Sequence, residues 1–232
     1  MTGAGTGLIG LWKKRGQHLL GMQNVMPLLS ESALRELRAR HEAYRSRAGG
    51  VKEYLAARGL SAELVDAAGL GFVGDDPLPG DEAFQGHLSI PYANADGVVV
   101  GMRFRRLDGG GPKYTSRAGD RALLYNARLI TGAAHAHICE GELDALSLAQ
   151  CGLLACGLPG ASTWKPWYAL LFEGCERVTV WTDGDEAGDE AWRKISRDLP
   201  LASRAPVPRG MDVNALLVER GAAGVRGLIG LE

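Results

Sequence analysis

The sequence predicts an α/β fold: a mostly parallel sheet with helices on both faces, preceded by a smaller α+β subdomain. Three observations carry this. From residue 135 onward, short apolar runs alternate with helical patterns in the order β-α-β-α-β-α-β, which requires crossover helices and hence a parallel sheet. Before that point the pattern is different, with glycine-stopped helices followed by a hairpin. Finally, Glu140-Gly141-Glu142-Leu143-Asp144 and Asp183-Gly184-Asp185 each sit where an apolar run gives way to a helix, the ligand-binding edge of such sheets. Residues 1–29 then read as a flexible lead-in, 30–130 as a basic α+β subdomain and 131–232 as the parallel-sheet domain.

In order along the chain, Ser30 caps a helix to about residue 47 whose apolar stripe is thin (Leu34, Leu37, Tyr44) and whose arginines, Arg35, Arg38, Arg40, Arg45 and Arg47, form a solvated face. A helix over 51–58 stops at Gly59, and Ser61 caps another that stops at Gly69. Two strands, 87–92 and 98–107, flank a turn at Asn94-Ala95-Asp96-Gly97, where the Asp-Gly pair supplies the positive φ of a hairpin. The second half gives strands at 136–139, 153–156, 177–182 and 205–207, with helices at 143–150, 164–172, 186–199 and from 212 to about 220.

Residues 1–130 carry 17 Lys and Arg against 13 Asp and Glu, while residues 131–232 carry 9 against 14. A basic half joined to an acidic one suits an enzyme that grips a polyanion and holds a metal, although scatter in surface charge gives the same count. Cys139, Cys151, Cys156 and Cys175 form no Cys-x-x-Cys pair and have no histidine at zinc-finger spacing, so they read as structural thiols. The N-terminus lacks the order of a secretory signal, and no apolar stretch approaches the ~20 residues needed to span a bilayer. A cytoplasmic protein without a membrane partner is expected.

Carboxylates at i and i+2 of an extended backbone point the same way. Four acids at neighbouring strand ends repel one another unless a cation sits among them, so the two motifs read as a magnesium (or manganese) site. Arg103, Arg105 and Arg106 on one strand are too many for a core-facing surface, and phosphate contact is their natural use. Other conspicuous residues take the bland reading. Trp181, Trp164, Trp167 and Trp192 read as core; His135 and His137 lack a third ligand. The Gly157–Gly160 turn is read as a phosphate cradle or as a tight turn whose Ser162 or Thr163 caps the next helix.

Glu140-Gly141 after the first strand and Asp183-Gly184-Asp185 after a later one resemble the Toprim domain, the metal-binding module of DNA primases, topoisomerases and some nucleases. Tyr54–Ser61, Gly69–Gly74, the hairpin with Ile90-Pro91, Pro112-Lys113-Tyr114 and Leu124-Tyr125-Asn126 resemble the catalytic core of DnaG-type primases, over roughly residues 50–220. The resemblance implies catalytic roles for Glu140, Asp183 and Asp185. It implies a metal set of Glu140, Asp183, Asp185, Asp212 and Asn214, and nucleotide or template contacts from Arg106, Lys113 and, more loosely, Arg121. Glu140 is either a ligand or a general base. Asp144 is either a supporting group behind the ligands or a favourable charge at its helix N-terminus.

Three departures stand out. The third acidic motif has Asn214 in place of a second aspartate, and Glu142 occupies a place where bacterial primases have an aromatic residue, a pattern nearer the phage primase-helicases. The chain also contains no zinc-binding domain and no Walker A sequence, so a zinc module and a helicase are expected as separate partners. The expectation is therefore a phage or mobile-element primase core making RNA primers from NTPs on a single-stranded DNA template. A Toprim nuclease and a non-catalytic nucleic-acid-binding replication factor are the alternatives.

Overall fold

A computed structural model describes residues 29–120 and 123–231. Residues 1–28 of the expected lead-in, and Arg121, lie outside the described residues. The chain divides after Glu36. In the first unit, the described residues begin helix α1 (Glu31–Arg45), with Ser30 Oγ accepting the Ala33 N–H at 3.2 Å and Arg35 paired to Glu31 at 3.5 Å.

The second unit, Leu37–Glu232, continues α1 and buries Leu37, Arg40 and Tyr44. Arg40 corrects the expected solvated face: its Nη1 lies 2.6 Å from the buried Asp81, which also accepts the Tyr44 hydroxyl at 2.6 Å. A partner 41 residues away is invisible to helical periodicity. Helix α2 (Lys52–Ala57) follows a 3₁₀ turn, and α3 (Ala62–Ala67) is capped by Ser61 Oγ, which accepts the Leu64 N–H at 3.3 Å.

Strands β1 (Gly71–Phe72), β2 (Leu88–Ala93), β3 (Val99–Arg105) and β4 (Tyr114–Ser116) form an antiparallel sheet in that order. The β2–β3 turn is the expected one: Gly97 has φ +80°, and Asn94 Oδ1 accepts the N–H groups of Asp96 and Val98. β1 and β4 hold two and three residues, too few to show alternation in the sequence.

After a short helix α4 (Ala127–Ile130), strands β5 (His135–Cys139), β6 (Ala155–Gly157), β7 (Arg177–Trp181) and β8 (Ala202–Arg204) build a parallel sheet ordered β6-β5-β7-β8. Helices α5 (Glu142–Gln150) and α7 (Val213–Gly227) pack on one face and α6 (Glu186–Asp198) on the other. Period-two alternation decides which residue enters which layer. Ile138, Val178 and Val180 join Ile195 of α6, while Cys139 and Trp181 join Leu143, Leu146, Val213 and Leu216. That second cluster also contains Val51, Leu55, Leu88 and Ile90, so one core runs from the antiparallel half into the parallel half.

Three expectations are corrected. The last strand lies at Ala202–Arg204, upstream of 205–207. The segment expected as an α-helix over 164–172 is a 3₁₀ helix, Pro166–Phe172, whose Trp167 is 51% exposed and so not core. Neither Ser162 nor Thr163 caps it; Thr163 Oγ1 instead donates to Gly160 O at 2.7 Å, closing its own turn. Helix α7 breaks at Gly221, whose φ is +66°, so its first segment ends near residue 220 as expected. Among the described residues no helix is long and apolar enough to cross a membrane.

Candidate active site

The chain leaves β5 toward β6 on one side, and β7 lies on the other, so the crevice between the ends of β5 and β7 is the switch point of the sheet. Glu140 follows β5 and Asp183 follows β7, and Glu140 Oε1 accepts the backbone N–H of Asp183 at 3.0 Å. The Asp183–Asp185 loop is also clamped to the loop before α7. Gly184 N–H donates to Met211 O, and Gly210 N–H to Gly184 O, both at 2.9 Å. A Cβ on Gly184 would stand 2.0 Å from Pro208 O, so the approach that brings Asp212 beside Asp183 requires glycine.

Asp185 and Asp212 are helix caps. Asp185 Oδ1 accepts the Gly188 N–H at 2.8 Å at the start of α6, and Asp212 Oδ1 accepts the Ala215 N–H at 2.7 Å at the start of α7. Two helix N-termini therefore point partial positive charge toward the acids. That does not neutralise them. Burial, then the charges of Glu140, Asp212 and Asp185, push the Asp183 carboxyl up to about 7. Burial, then Asp212 and Asp183, push Asp144 up to about 7 as well, against the Asn214 backbone N–H that Asp144 Oδ1 accepts at 3.1 Å. Glu140 is raised by burial, by Asp185 and by Asp144, while the Asp183 N–H opposes the shift. Asp144 thus lies within electrostatic reach of both Asp183 and Asp212.

Asp183 Oδ1 is buried and has no hydrogen-bond partner among the described residues. An orphaned carboxylate oxygen among mutually repelling acids fits a divalent cation, and an all-oxygen donor set fits magnesium. No three described His, Cys, Asp or Glu side chains form a ready-made cage, and magnesium sites are commonly open, completed by water and substrate phosphates.

Asn214 is placed differently. Its Oδ1 accepts Arg58 Nη1 at 2.8 Å, and its Nδ2 donates to Arg58 O at 2.9 Å and Ser147 Oγ at 2.8 Å. Both ends of the amide are thus engaged by Arg58 and Ser147. Glu142 is 1% exposed and holds Arg103 Nη1 and the Tyr92 hydroxyl, each at 2.5 Å.

Arg103 also donates to Pro159 O at 3.1 Å. Arg105 is 4% exposed and donates to the hydroxyls of Tyr54 (2.6 Å) and Tyr114. These two guanidiniums are therefore engaged internally. Arg106 is half-buried, pairs loosely with Asp108 at 3.4 Å and keeps its Nε buried without a hydrogen-bond partner among the described residues, while exposed Lys113 is close enough to draw down both Asp144 and Asp183.

Sequence reasoning does not find Arg204, which donates to Thr182 Oγ1 at 2.9 Å and to Asp189 Oδ1 at 2.7 Å and favours the charged form of Glu140. Nor does it find Arg58, Tyr54 and Tyr114. All three stand within motifs that carry the resemblance, Tyr54–Ser61 and Pro112-Lys113-Tyr114, but the pattern gives the individual side chains no role. The histidines and Trp181 take the bland reading. Trp181 Nε1 donates to His137 Nδ1 at 3.0 Å, and burial followed by the neighbouring His135 and Arg177 pushes His137 down to about 3.

A parallel sheet with acids at the β5 and β7 ends is the arrangement of a Toprim module, and the family model described as Toprim-like matches residues 137–217. The chain belongs to the same family as the gene 57 protein of Mycobacterium phage D29, to which it is 40% identical over 143 residues, 60% of this chain and 94% of that protein. A DNA primase of Neisseria meningitidis is 28% identical over 186 residues, 64% of this chain, and the chain spans 31% of that primase's length. The fold is that of a DnaG primase catalytic domain solved bound to single-stranded DNA, with TM-score 0.70 and 23% identity over 84% of this chain and 77% of that one.

Proposed function

We propose that this chain is the catalytic core of a primase, joining NTPs into short RNA primers on a single-stranded DNA template by metal-dependent nucleotidyl transfer. The observation that carries the proposal is the meeting of Glu140, Asp144, Asp183 and Asp212 at the switch point with Lys113 close enough to act on two of them. Asp183, Asp185 and Asp212 would hold divalent cations, with Glu140 beside them. When bound, these supply Lewis acidity toward the 3′-hydroxyl and charge neutralisation for the triphosphate.

The chain's own residues do the remainder. Lys113 and Arg106 hold nucleotide or template phosphate at the edge of the antiparallel sheet. Glu140, with its carboxyl raised toward neutrality, is suited to accept the proton of the attacking hydroxyl. Arg204 and the Asp183 N–H oppose that rise, and the N–H holds Glu140 Oε1 in place. The DNA-bound core of the same fold supports a DNA template, and the primase relatives support the reaction class. A separate zinc-binding module and a replicative helicase are the proposed partners.

The test is primer synthesis by the full chain with magnesium or manganese, single-stranded DNA and NTPs, with and without candidate zinc-module and helicase proteins. Oligonucleotide made by the wild type and lost in Asp183→Ala supports the reading. Metal-dependent cleavage of DNA or RNA without NTPs would replace it with the nuclease, and DNA binding without turnover would replace it with a binding factor.

A further inference from the structure

Glu142 and Asn214, the two positions where the acidic motifs depart from the primase pattern, are the two ends of one side-chain network. Glu142 holds Arg103 Nη1 at 2.5 Å. The Arg103 guanidinium lies 4.9 Å from the ring centre of Tyr114, and Arg105 lies 4.9 Å from the same ring while donating to the Tyr114 hydroxyl. Arg105 Nε donates to Tyr54 OH at 2.6 Å. Arg58 stacks 5.1 Å over the Tyr54 ring, and Nη1 of Arg58 reaches Asn214 at 2.8 Å. Alternating guanidiniums and tyrosines thus run from the start of α5, through β3, β4 and α2, to the start of α7.

Each end sits two residues beyond a carboxylate of the site, Glu140 on one side and Asp212 on the other. Arginine suits the task because its planar fork is rigid, stacks on aromatic faces and stays charged when buried. Tyrosine offers a ring to one neighbour and a hydroxyl to the next. Lys113 is adjacent to Tyr114 in the chain, so the network also fixes the base of that lysine.

We infer that Glu142, Arg103, Tyr114, Arg105, Tyr54, Arg58 and Asn214 form a positioning network that couples the first acidic motif to the third and sets the opening of the site between them. Glu142 and Asn214 are its anchors and not ligands. The inference deepens the functional reading above by naming what holds that site in shape. The links are directional and run alongside a direct tie, in which the Asn214 N–H donates to Asp144 Oδ1 and Asn214 Nδ2 to Ser147 Oγ, so Tyr54→Phe, which leaves that direct tie intact, is the variant that reports on the network alone.

The deciding measurement is amide hydrogen exchange on the full chain without metal. In Arg103→Gln, which breaks the network at Glu142, residues 210–214 are expected to exchange about tenfold faster, as residues 140–144 do, while β5 and β7 keep wild-type protection. Acceleration confined to residues 140–144 and their neighbours would overturn the inference. Tyr54→Phe keeps the ring and removes only the hydroxyl link, so it guards against a variant that fails to fold; both ends should loosen, and loosening at neither would again overturn the inference.

Manganese titration followed by electron paramagnetic resonance separates this idea from the reading beneath it. Tyr54→Phe should weaken manganese binding about tenfold, the scale of lost support behind metal ligands. Coupled exchange in a wild type that binds no manganese would remove the metal reading and leave the coupling standing. Manganese binding with uncoupled exchange would do the reverse.

Discussion

Glu140 and Asp183 are fastened to each other: Glu140 Oε1 accepts the Asp183 backbone N–H at 3.0 Å, tying the first acidic motif to the second across the switch point. Glu140→Gln keeps that acceptor and loses the charge. Primer synthesis is expected to fall by about 10²–10⁴, the range for a lost general base, with the melting temperature held or slightly raised as one repelling charge disappears. Glu140→Ala removes the acceptor as well, so it should lose both activity and thermal stability. Steady-state kinetics and thermal melts on the two variants check the contrast; equal stability in both would show that the tie does not hold the loop.

The acidic cluster makes the metal-free fold sensitive to pH in an unusual direction. Asp144 and Asp183 are raised to about 7 in the folded chain from 3.8, so between these values the folded state binds more protons than the unfolded state. Stability from these groups is present at low pH and is lost as pH rises through about 7. The metal-free protein should melt several degrees lower at about pH 8 than at about pH 6, an order-of-magnitude shift for a chain of this size. Magnesium should restore the difference, with the larger gain at the higher pH, because ligands must be deprotonated to bind. Scanning calorimetry at both pH values, with and without magnesium, gives the answer, and a metal-free melting point that rises with pH would contradict the cluster's electrostatics.

Much of this site is legible in the amino-acid pattern itself. Strand–helix alternation specifies the parallel sheet, and its strand-end acids follow from position alone. Asp183 and Asp185 need only their place after β7. What periodicity does not reveal is the long-range partner. Arg40 reads as solvated until Asp81 arrives from 41 residues away, and Arg103 and Arg105 read as phosphate ligands until Glu142, Tyr54 and Tyr114 are found against them. A buried cation and an exposed one look alike in sequence when the counter-charge is remote. The two-residue β1 and three-residue β4 are illegible for another reason, since strands that short have no period.

Lys113 lies close enough to Asp144 and Asp183 to favour the charged form of both. Lys113→Gln removes that influence, so both carboxyls should rise further and the acidic limb of the pH–rate profile should move to higher pH. The proposed phosphate contact would be lost at the same time, which should raise the KM for NTP roughly tenfold, the scale of one charge-assisted hydrogen bond. Lys113→Arg should restore most of the limb. A limb that stays in place while KM rises would assign Lys113 to nucleotide binding alone.

Asn214→Asp tests whether the third acidic motif is short of a ligand or complete as it stands. The substitution would recreate the paired aspartates of the primase pattern, and if residue 214 faced the metal it should tighten manganese binding. The geometry argues otherwise. Asn214 Nδ2 donates to Arg58 O and Ser147 Oγ, and a carboxylate would set an acceptor against the Arg58 carbonyl. It would also bring a buried charge onto the residue whose backbone N–H serves Asp144. The retained ion pair to Arg58 compensates in part, leaving a cost of about 1–3 kcal/mol for the misplaced buried polar group. The expected result is a lower melting temperature with manganese affinity unchanged or weaker. Tighter manganese binding in Asn214→Asp would return residue 214 to the ligand set and show that its side chain turns toward the acids when a cation is bound.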